Sequence, residues 1–244
     1  MPLYYSNQKP AALITGASRG LGLALSRALA ARGWTLVLDA REPAALSAVS
    51  EELSRLTQVK DLAGDVSNPE HRNMLAGAVR QVGRLDLLVN NASLLGPSPQ
   101  PDLLDYPLDT FEAVYRTNVF APLALVQALK DFLLPGSVVM NISSDAGVEP
   151  YPGWGGYGSG KAALEHLSAI LSAENPNWRL YWVDPGDMRT RMQQEAFPGE
   201  DISDRPLPET SVPGLLALIE GDLPSGRYQA RLVPTAPDPK GSKV

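Results

Sequence analysis

Apolar positions along this chain fall in short runs separated by stretches of helical period. "AALIT" (11–15), "TLVL" (35–38), "VKDLAGDV" (59–66), "LDLLVNNA" (85–92), "GSVVMNISS" (136–144) and "RLYWVDPG" (179–186) each hold a strand-length run. Near-continuous apolar runs bounded by Gly, Asn or Pro read as strands buried on both faces. Between them, "LALSRALAARG" after the first strand and the segments 43–56, 69–83, 108–133 and 157–173 carry apolar residues at helical spacing. This alternation predicts an α/β fold, a doubly wound, Rossmann-type parallel sheet with helices on both faces. A helix over 209–220 and a strand over 226–232 would bring the sheet to about seven strands. No Pro/Gly-rich linker divides the first 185 residues, so a single domain is expected over 1–233. Within it, the polar stretch 187–208 reads as a substrate-loop region. The Pro-rich 234–244 reads as a disordered tail.

Composition narrows the chemistry. The 244 residues carry a net charge of −6, which argues against nucleic-acid or anionic-membrane partners, since both need clustered Lys and Arg. There is no cysteine, so disulfides and thiolate metal sites are excluded. His71 and His166 are the only histidines; no metal-ligand spacing surrounds them, and both are expected on helix surfaces. No apolar run is long enough for a membrane helix, and "MPLYYSNQKP" lacks the apolar core of a signal peptide. A cytoplasmic enzyme without a metal is therefore the expectation.

Two glycine clusters carry candidate chemistry. "TGASRGLG" (15–22) follows the first strand and opens the first helix. Gly16, Gly20 and Gly22 let the backbone bring N–H groups close to a phosphate at the positive end of a helix. The second cluster, "GGYGSGKA" (155–162), reads two ways. Gly155, Gly160 and Lys161 nearly fit the P-loop G-x-x-x-x-G-K-[ST]. No strand precedes them, and Ala162 stands where the metal-binding hydroxyl belongs, so a nucleotide hydrolase is disfavoured. Alternatively, Tyr157 and Lys161 lie one helical turn apart and share a face. A free tyrosine, with a pKa near 10, is a poor acid–base catalyst at neutral pH; lowering it by about 3 units needs roughly 4 kcal/mol of differential stabilisation. A neighbouring ammonium supplies part of that.

These motifs, in this order, resemble the short-chain dehydrogenases/reductases. "TGASRGLG" is similar to the family's glycine fingerprint, and "NNAS" (90–93) to its N-N-A-G. Asn118, Ser144, the Y-x-x-x-K pair Tyr157 and Lys161, and "DPGDMRT" (184–190) follow in family order. The resemblance covers residues 11 to about 190. It implies a catalytic set of Asn118, Ser144, Tyr157 and Lys161. In that set Ser144 hydrogen-bonds the substrate oxygen and Asn118 holds a water that links Lys161 to solvent. It also implies a cofactor site of Gly16, Ser18, Arg19, Gly20, Leu21, Gly22, Arg41, Asp65, Val66, Asn91, Ala92, Pro185, Gly186 and Thr190, together with Tyr157 and Lys161. The expected activity is interconversion of a small-molecule carbonyl and alcohol by hydride transfer. A non-catalytic nucleotide sensor on the same fold is the alternative.

At the end of the second strand, "LDAREP" (38–43) places Ala40 where an NAD-specifying Asp would stand, followed by Arg41. Arg41 and Arg19 imply NADP(H). Asp39, one position earlier, leaves NAD(H) as the alternative if it reaches a ribose hydroxyl rather than pairing with Arg41. The segments 93–100, 145–155 and 187–205 are expected to shape the substrate pocket. Asp145, Glu149 and Asp187, with Tyr151 and Trp154, would suit a polar or cationic substrate with a ring; acids solvating loop tips are the blander reading. A homodimer or homotetramer through the helices at 108–133 and 157–173 is implied by the resemblance, although "PSGRYQARLVP" (224–234) departs from the family's Gly-rich tail.

Overall fold

In the computed structural model, which describes residues 9–235, seven parallel strands form one sheet in the order β3-β2-β1-β4-β5-β6-β7. They are β1 (Ala11–Ile14), β2 (Thr35–Ala40), β3 (Val59–Ala63), β4 (Leu85–Asn90), β5 (Leu133–Ile142), β6 (Arg179–Asp184) and β7 (Gly226–Gln229). Every residue of β1, β2 and β4 is buried. That explains why their sequences read as near-continuous apolar runs: helices cover both faces. The helices are α1 (Gly20–Ala30), α2 (Pro43–Leu53), α3 (Pro69–Val82), α4 (Leu108–Tyr115), α5 (Ala121–Leu129), α6 (Gly155–Glu174), α7 (Arg191–Ala196) and α8 (Val212–Glu220). One apolar cluster packs α1, α2 and α8 against one face, and a second packs α3 and α5 against the other.

Strand order reverses between β1 and β4, and the carboxyl ends of parallel strands at such a switch point open a crevice. The chain departs from the sequence-based expectation at four places. The long helix expected over 108–133 is divided by a π-type turn, Arg116–Phe120, in which the Ala121 N–H bonds the Arg116 carbonyl. The fifth strand begins earlier than expected, at Leu133. A short helix, α7, lies inside the polar stretch 187–208. His71, expected at a helix surface, is buried on α3, and its Nε2 lies 2.6 Å from Asp39 Oδ1. His166 is exposed, as expected. The expected tail 234–244 lies almost wholly outside the described residues.

Candidate active site

The first glycine cluster builds a turn that only glycine can make. Gly16 and Gly20 have φ of +66° and +55°, in the left-handed region. Gly22 is helical, but a Cβ there would sit 2.3 Å from the Gly16 carbonyl oxygen. The turn is tied to the end of β4. Asn91 Nδ2 donates to the Thr15 carbonyl at 2.8 Å and to the Gly16 carbonyl at 3.2 Å. The backbone N–H groups of Asn91 and Ala92 both donate to Thr15 Oγ1 at 3.0 Å. The Asn91 amide thus shapes the cradle itself. Thr15, which sequence reasoning passed over, is the hub of that arrangement. At the N-terminus of α1, Arg19 offers no side-chain cap and Leu21 is buried.

Around this turn the charges are ordered. Arg19 is paired with Glu42 at 2.6 Å, and Arg191 Nη1 lies 3.8 Å from the same carboxylate. The Arg19 guanidinium holds the Glu42 carboxyl below the usual carboxylate range, with Arg191 and Arg41 adding to the effect. Asp39 neither reaches outward to a ribose nor pairs with Arg41, so the NAD alternative loses its acid. Its side chain is 2% exposed, with the carboxylate turned toward His71 and the Gly16 N–H. Burial raises its pKa and the His71 contact opposes that rise. Asp65 is exposed and its Oδ1 accepts from the Ser67 N–H at 2.8 Å, while Val66 beside it is buried.

The second glycine cluster lies inside α6, not in a loop after a strand, so the P-loop reading fails on its context. Tyr157 and Lys161 are both buried on one side of this helix, with Lys161 Nζ 5.3 Å from the Tyr157 ring centroid. The glycines that weaken the helix have a packing reason: a Cβ on Gly156 would strike the Tyr106 ring at 2.4 Å, and one on Gly158 the Ala146 carbonyl at 2.6 Å. Lys161 Nζ donates to the Ile142 carbonyl at 2.7 Å. Burial pushes its pKa down to about 8, against the pull of Glu165 one turn on. Burial likewise drives the Tyr157 phenol far above its ordinary value. Hydrogen bonds with Ser93 and Ser144 oppose that rise, and the Asp184 and Asp145 charges add to it.

Ser144 follows the end of β5, and its hydroxyl donates to Asp145 Oδ1 at 2.8 Å. Its carbonyl is held from β7 by Arg227 Nη2 at 3.2 Å, and Arg227 Nε in turn bonds Glu165 at 3.0 Å. Asn118 sits in the π-type turn, 1% exposed. Its Oδ1 accepts from the Leu94 N–H at 2.8 Å and from Ser93 Oγ at 3.2 Å, and its Nδ2 donates to the Leu94 carbonyl at 2.9 Å. The side chain is therefore occupied in holding the extended segment after β4. Ser93 is a second residue sequence reasoning missed; its signal was a serine where the family's N-N-A-G has glycine.

A cavity of about 500 Å³ opens beside Tyr157 and Ser144. Trp154, Phe197 and Met192 give it an apolar wall, and Asp145, Asp187 and Tyr151 a polar one. Glu149 faces a neighbouring recess instead. Pro185, Gly186 and Thr190 form its floor toward the glycine turn. Gly186, at φ +72°, donates its N–H to Asp184 Oδ1 at 2.8 Å. Thr190 caps α7, and a Cβ on Gly20 would lie 3.5 Å from its methyl group. Tyr157 and Ser144 thus line one crevice at the strand ends, with Lys161 buried beside the tyrosine and the glycine turn adjoining at Thr190, and no group of three or more His, Cys, Asp or Glu is arranged to hold a metal among the described residues.

A family model described as short chain dehydrogenase matches residues 10–201. Sepiapterin reductase of Mus musculus is 34% identical over 201 residues, covering 75% of this chain and 76% of the reductase. A short chain dehydrogenase structure from Pseudomonas syringae superposes with a TM-score of 0.85 at 33% identity, over 91% of this chain and 94% of that one. A second, from Shigella flexneri and complexed with NADP, gives a TM-score of 0.81 at 30% identity, over 91% and 97% of the two chains.

Proposed function

The chain belongs to the short chain dehydrogenase family and is an oxidoreductase, and from that premise we propose that it interconverts a small-molecule carbonyl and its alcohol with NADP(H). Bound in the crevice, the dinucleotide would supply or accept the hydride, the chemistry the protein's own side chains lack. Three features of the chain fit that group: the glycine cradle, the arginines about Glu42, and the inward turn of Asp39. Arg19 and Arg41 would hold the 2′-phosphate by charge and fork geometry. Gly16, Ser18, Gly20, Leu21 and Gly22 would receive the pyrophosphate. Asp65, Val66, Asn91 and Ala92 would border the adenosine, and Pro185, Gly186 and Thr190 the nicotinamide.

The observation that carries the chemistry is Tyr157 and Lys161 buried together below an open cavity. The Tyr157 hydroxyl would give its proton to the substrate oxygen in reduction and take it back in oxidation. Lys161 favours the phenolate through space, since its Nζ is committed to the Ile142 carbonyl. Ser144 would turn its hydroxyl from Asp145 to the substrate oxygen. Asn118 holds the segment carrying Ser93 in place, and a water beside its turn would link Lys161 to solvent.

A homodimer or homotetramer in the cytoplasm completes the reading; Leu108, Phe120 and Ile170 on the α4–α5 and α6 surfaces stand exposed for such contact. The cofactor assignment is tested by fluorescence titration of NADPH and NADH against wild type and Arg41→Ala. Tight NADPH binding that weakens at least tenfold in the variant is expected, with NADH little changed. The chemistry is tested by Tyr157→Phe on an aromatic-ketone panel: a loss of about 10²–10⁴ in reduction is expected with NADPH binding kept. Reduction surviving in Tyr157→Phe would sink the assignment of the proton donor.

A further inference from the structure

We propose that Arg191, on the helix that walls the substrate cavity, is a third cation of the 2′-phosphate site and ties cofactor choice to that wall. The inference rests on the NADP(H) reading. Glu42, at the start of α2, is paired with Arg19 and lies 3.8 Å from Arg191, and the charge of Arg41 beside it in sequence also lowers the pKa of its carboxyl. Arg19 comes from the glycine turn, Arg41 from the end of β2, and Arg191 from the first residue of α7. With Glu195, which bonds Arg191, counted beside Glu42, three guanidinium groups stand against two carboxylates and the cluster keeps an excess positive charge. A phosphate monoester carries close to two negative charges at neutral pH and has three acceptor oxygens. Charge complementarity therefore favours a 2′-phosphate in this cluster over the ribose hydroxyl of NAD.

The geometry allows it. Arg191 spends Nε on Glu195 at 2.7 Å, and its Nη1 lies 3.8 Å from the Glu42 carboxylate. Its side chain is 65% exposed, so a ligand can reach it without unpacking the protein. The preceding residue, Thr190, abuts the glycine turn at Gly20. The next two, Met192 and Gln193, line the substrate cavity. Neighbouring residues of one short helix thus face the two ends of the site. A phosphate that holds Arg191 also holds the cavity wall in place; a cofactor without that phosphate does not.

The test needs no substrate. NADPH, NADH, 2′,5′-ADP and 5′-AMP are titrated against wild type, Arg191→Ala, Arg191→Lys and Glu42→Gln, each first shown to melt as wild type does. Arg191→Ala should weaken NADPH and 2′,5′-ADP about tenfold and leave NADH and 5′-AMP within twofold, with partial recovery in Arg191→Lys. Glu42→Gln, which removes the competing carboxylate, should tighten NADPH only. In wild type, 2′,5′-ADP should slow amide hydrogen exchange across residues 191–196, and 5′-AMP should not. Equal weakening of both nucleotide classes, or none, overturns the inference while leaving the cofactor reading intact. Wild type that binds neither dinucleotide overturns the cofactor reading itself, and the inference with it.

Discussion

Ser93 shows how a single residue can change the proton chemistry without touching the recognisable motif. Its hydroxyl lies between Asn118 Oδ1 and the Tyr157 phenol. A hydroxyl has one proton and two lone pairs, so it can accept from the phenol and turn to donate to the phenolate. The other groups acting on that phenol are Ser144, which also opposes its rise, the Lys161 ammonium over its ring, and the charges of Asp145 and Asp184, which raise it. Removing Ser93 removes a contact that favours the ionised form. Ser93→Gly, the family's usual residue, should therefore move the pH profile of alcohol oxidation to higher pH. Below its apparent pKa, oxidation should fall about 2- to 10-fold, as for one lost hydrogen bond. Ser93→Thr should recover most of the loss, and an unmoved profile would assign Ser93 to packing alone. At this scale the grouping of Tyr157 with Lys161 was legible from their spacing of one helical turn, and that of Ser144 with them from the order of motifs the chain shares with the family. The partners of Asp39 were not. Whether a carboxylate at the end of β2 turns outward to a ribose or inward to His71 depends on α3, packed beneath it from 32 residues away.

Glycines within helices show where local propensity and element packing part company. Alanine in place of a helical glycine ordinarily stabilises by about 0.5–1 kcal/mol. Gly77, on α3, has open space where a Cβ would stand, with nothing within 4 Å, and Gly77→Ala should show that ordinary gain in urea denaturation. Gly22, on α1, is the opposite case. Its Cβ would press on the Gly16 carbonyl at 2.3 Å and on Asn91 Nδ2 at 2.6 Å, neither of which is the free end of a flexible chain. Gly22→Ala should cost about 1–3 kcal/mol through overpacking and weaken dinucleotide binding as the cradle opens. A gain at both positions would mean that the turn and β4 are not coupled as the contacts indicate. The elements themselves were legible where apolar periodicity was strong. The π-type turn in the long helix was not, because it answers to Asn118 and its bonds with Leu94, a long-range demand that leaves no mark in helical spacing. The short α7 was hidden in a polar stretch for the related reason that part of its length faces the cavity rather than a core.

Over the whole molecule, the alternation of strand and helix was legible. The strand order was not, since β1 pairs with both β2 and β4 through contacts far apart in sequence. The same architecture buries Lys161 between the end of β5 and α6, so the stability of the entire fold carries the cost of that charge. The sign follows from linkage. The folded-state pKa of about 8 lies below the ordinary 10.5, so above pH 8 the folded chain has released a proton that the unfolded chain still holds. Stability therefore rises with pH through this window, and the full cost is present below it. Each unit of difference is worth about 1.4 kcal/mol. Between pH 7 and 10, wild type should then gain roughly 2 kcal/mol relative to Lys161→Met, read as the change in their difference in unfolding free energy. The donor lost to the Ile142 carbonyl in the variant shifts that difference by a constant and leaves its slope untouched. A difference flat across this range would mean that Lys161 is solvated in the folded protein. An ammonium so hydrated would do little to favour the Tyr157 phenolate, because bulk water screens charges a few ångströms apart to about 1 kcal/mol. The pH dependence of global stability is thus a measure, independent of any substrate, of how strongly the buried lysine can act on the tyrosine.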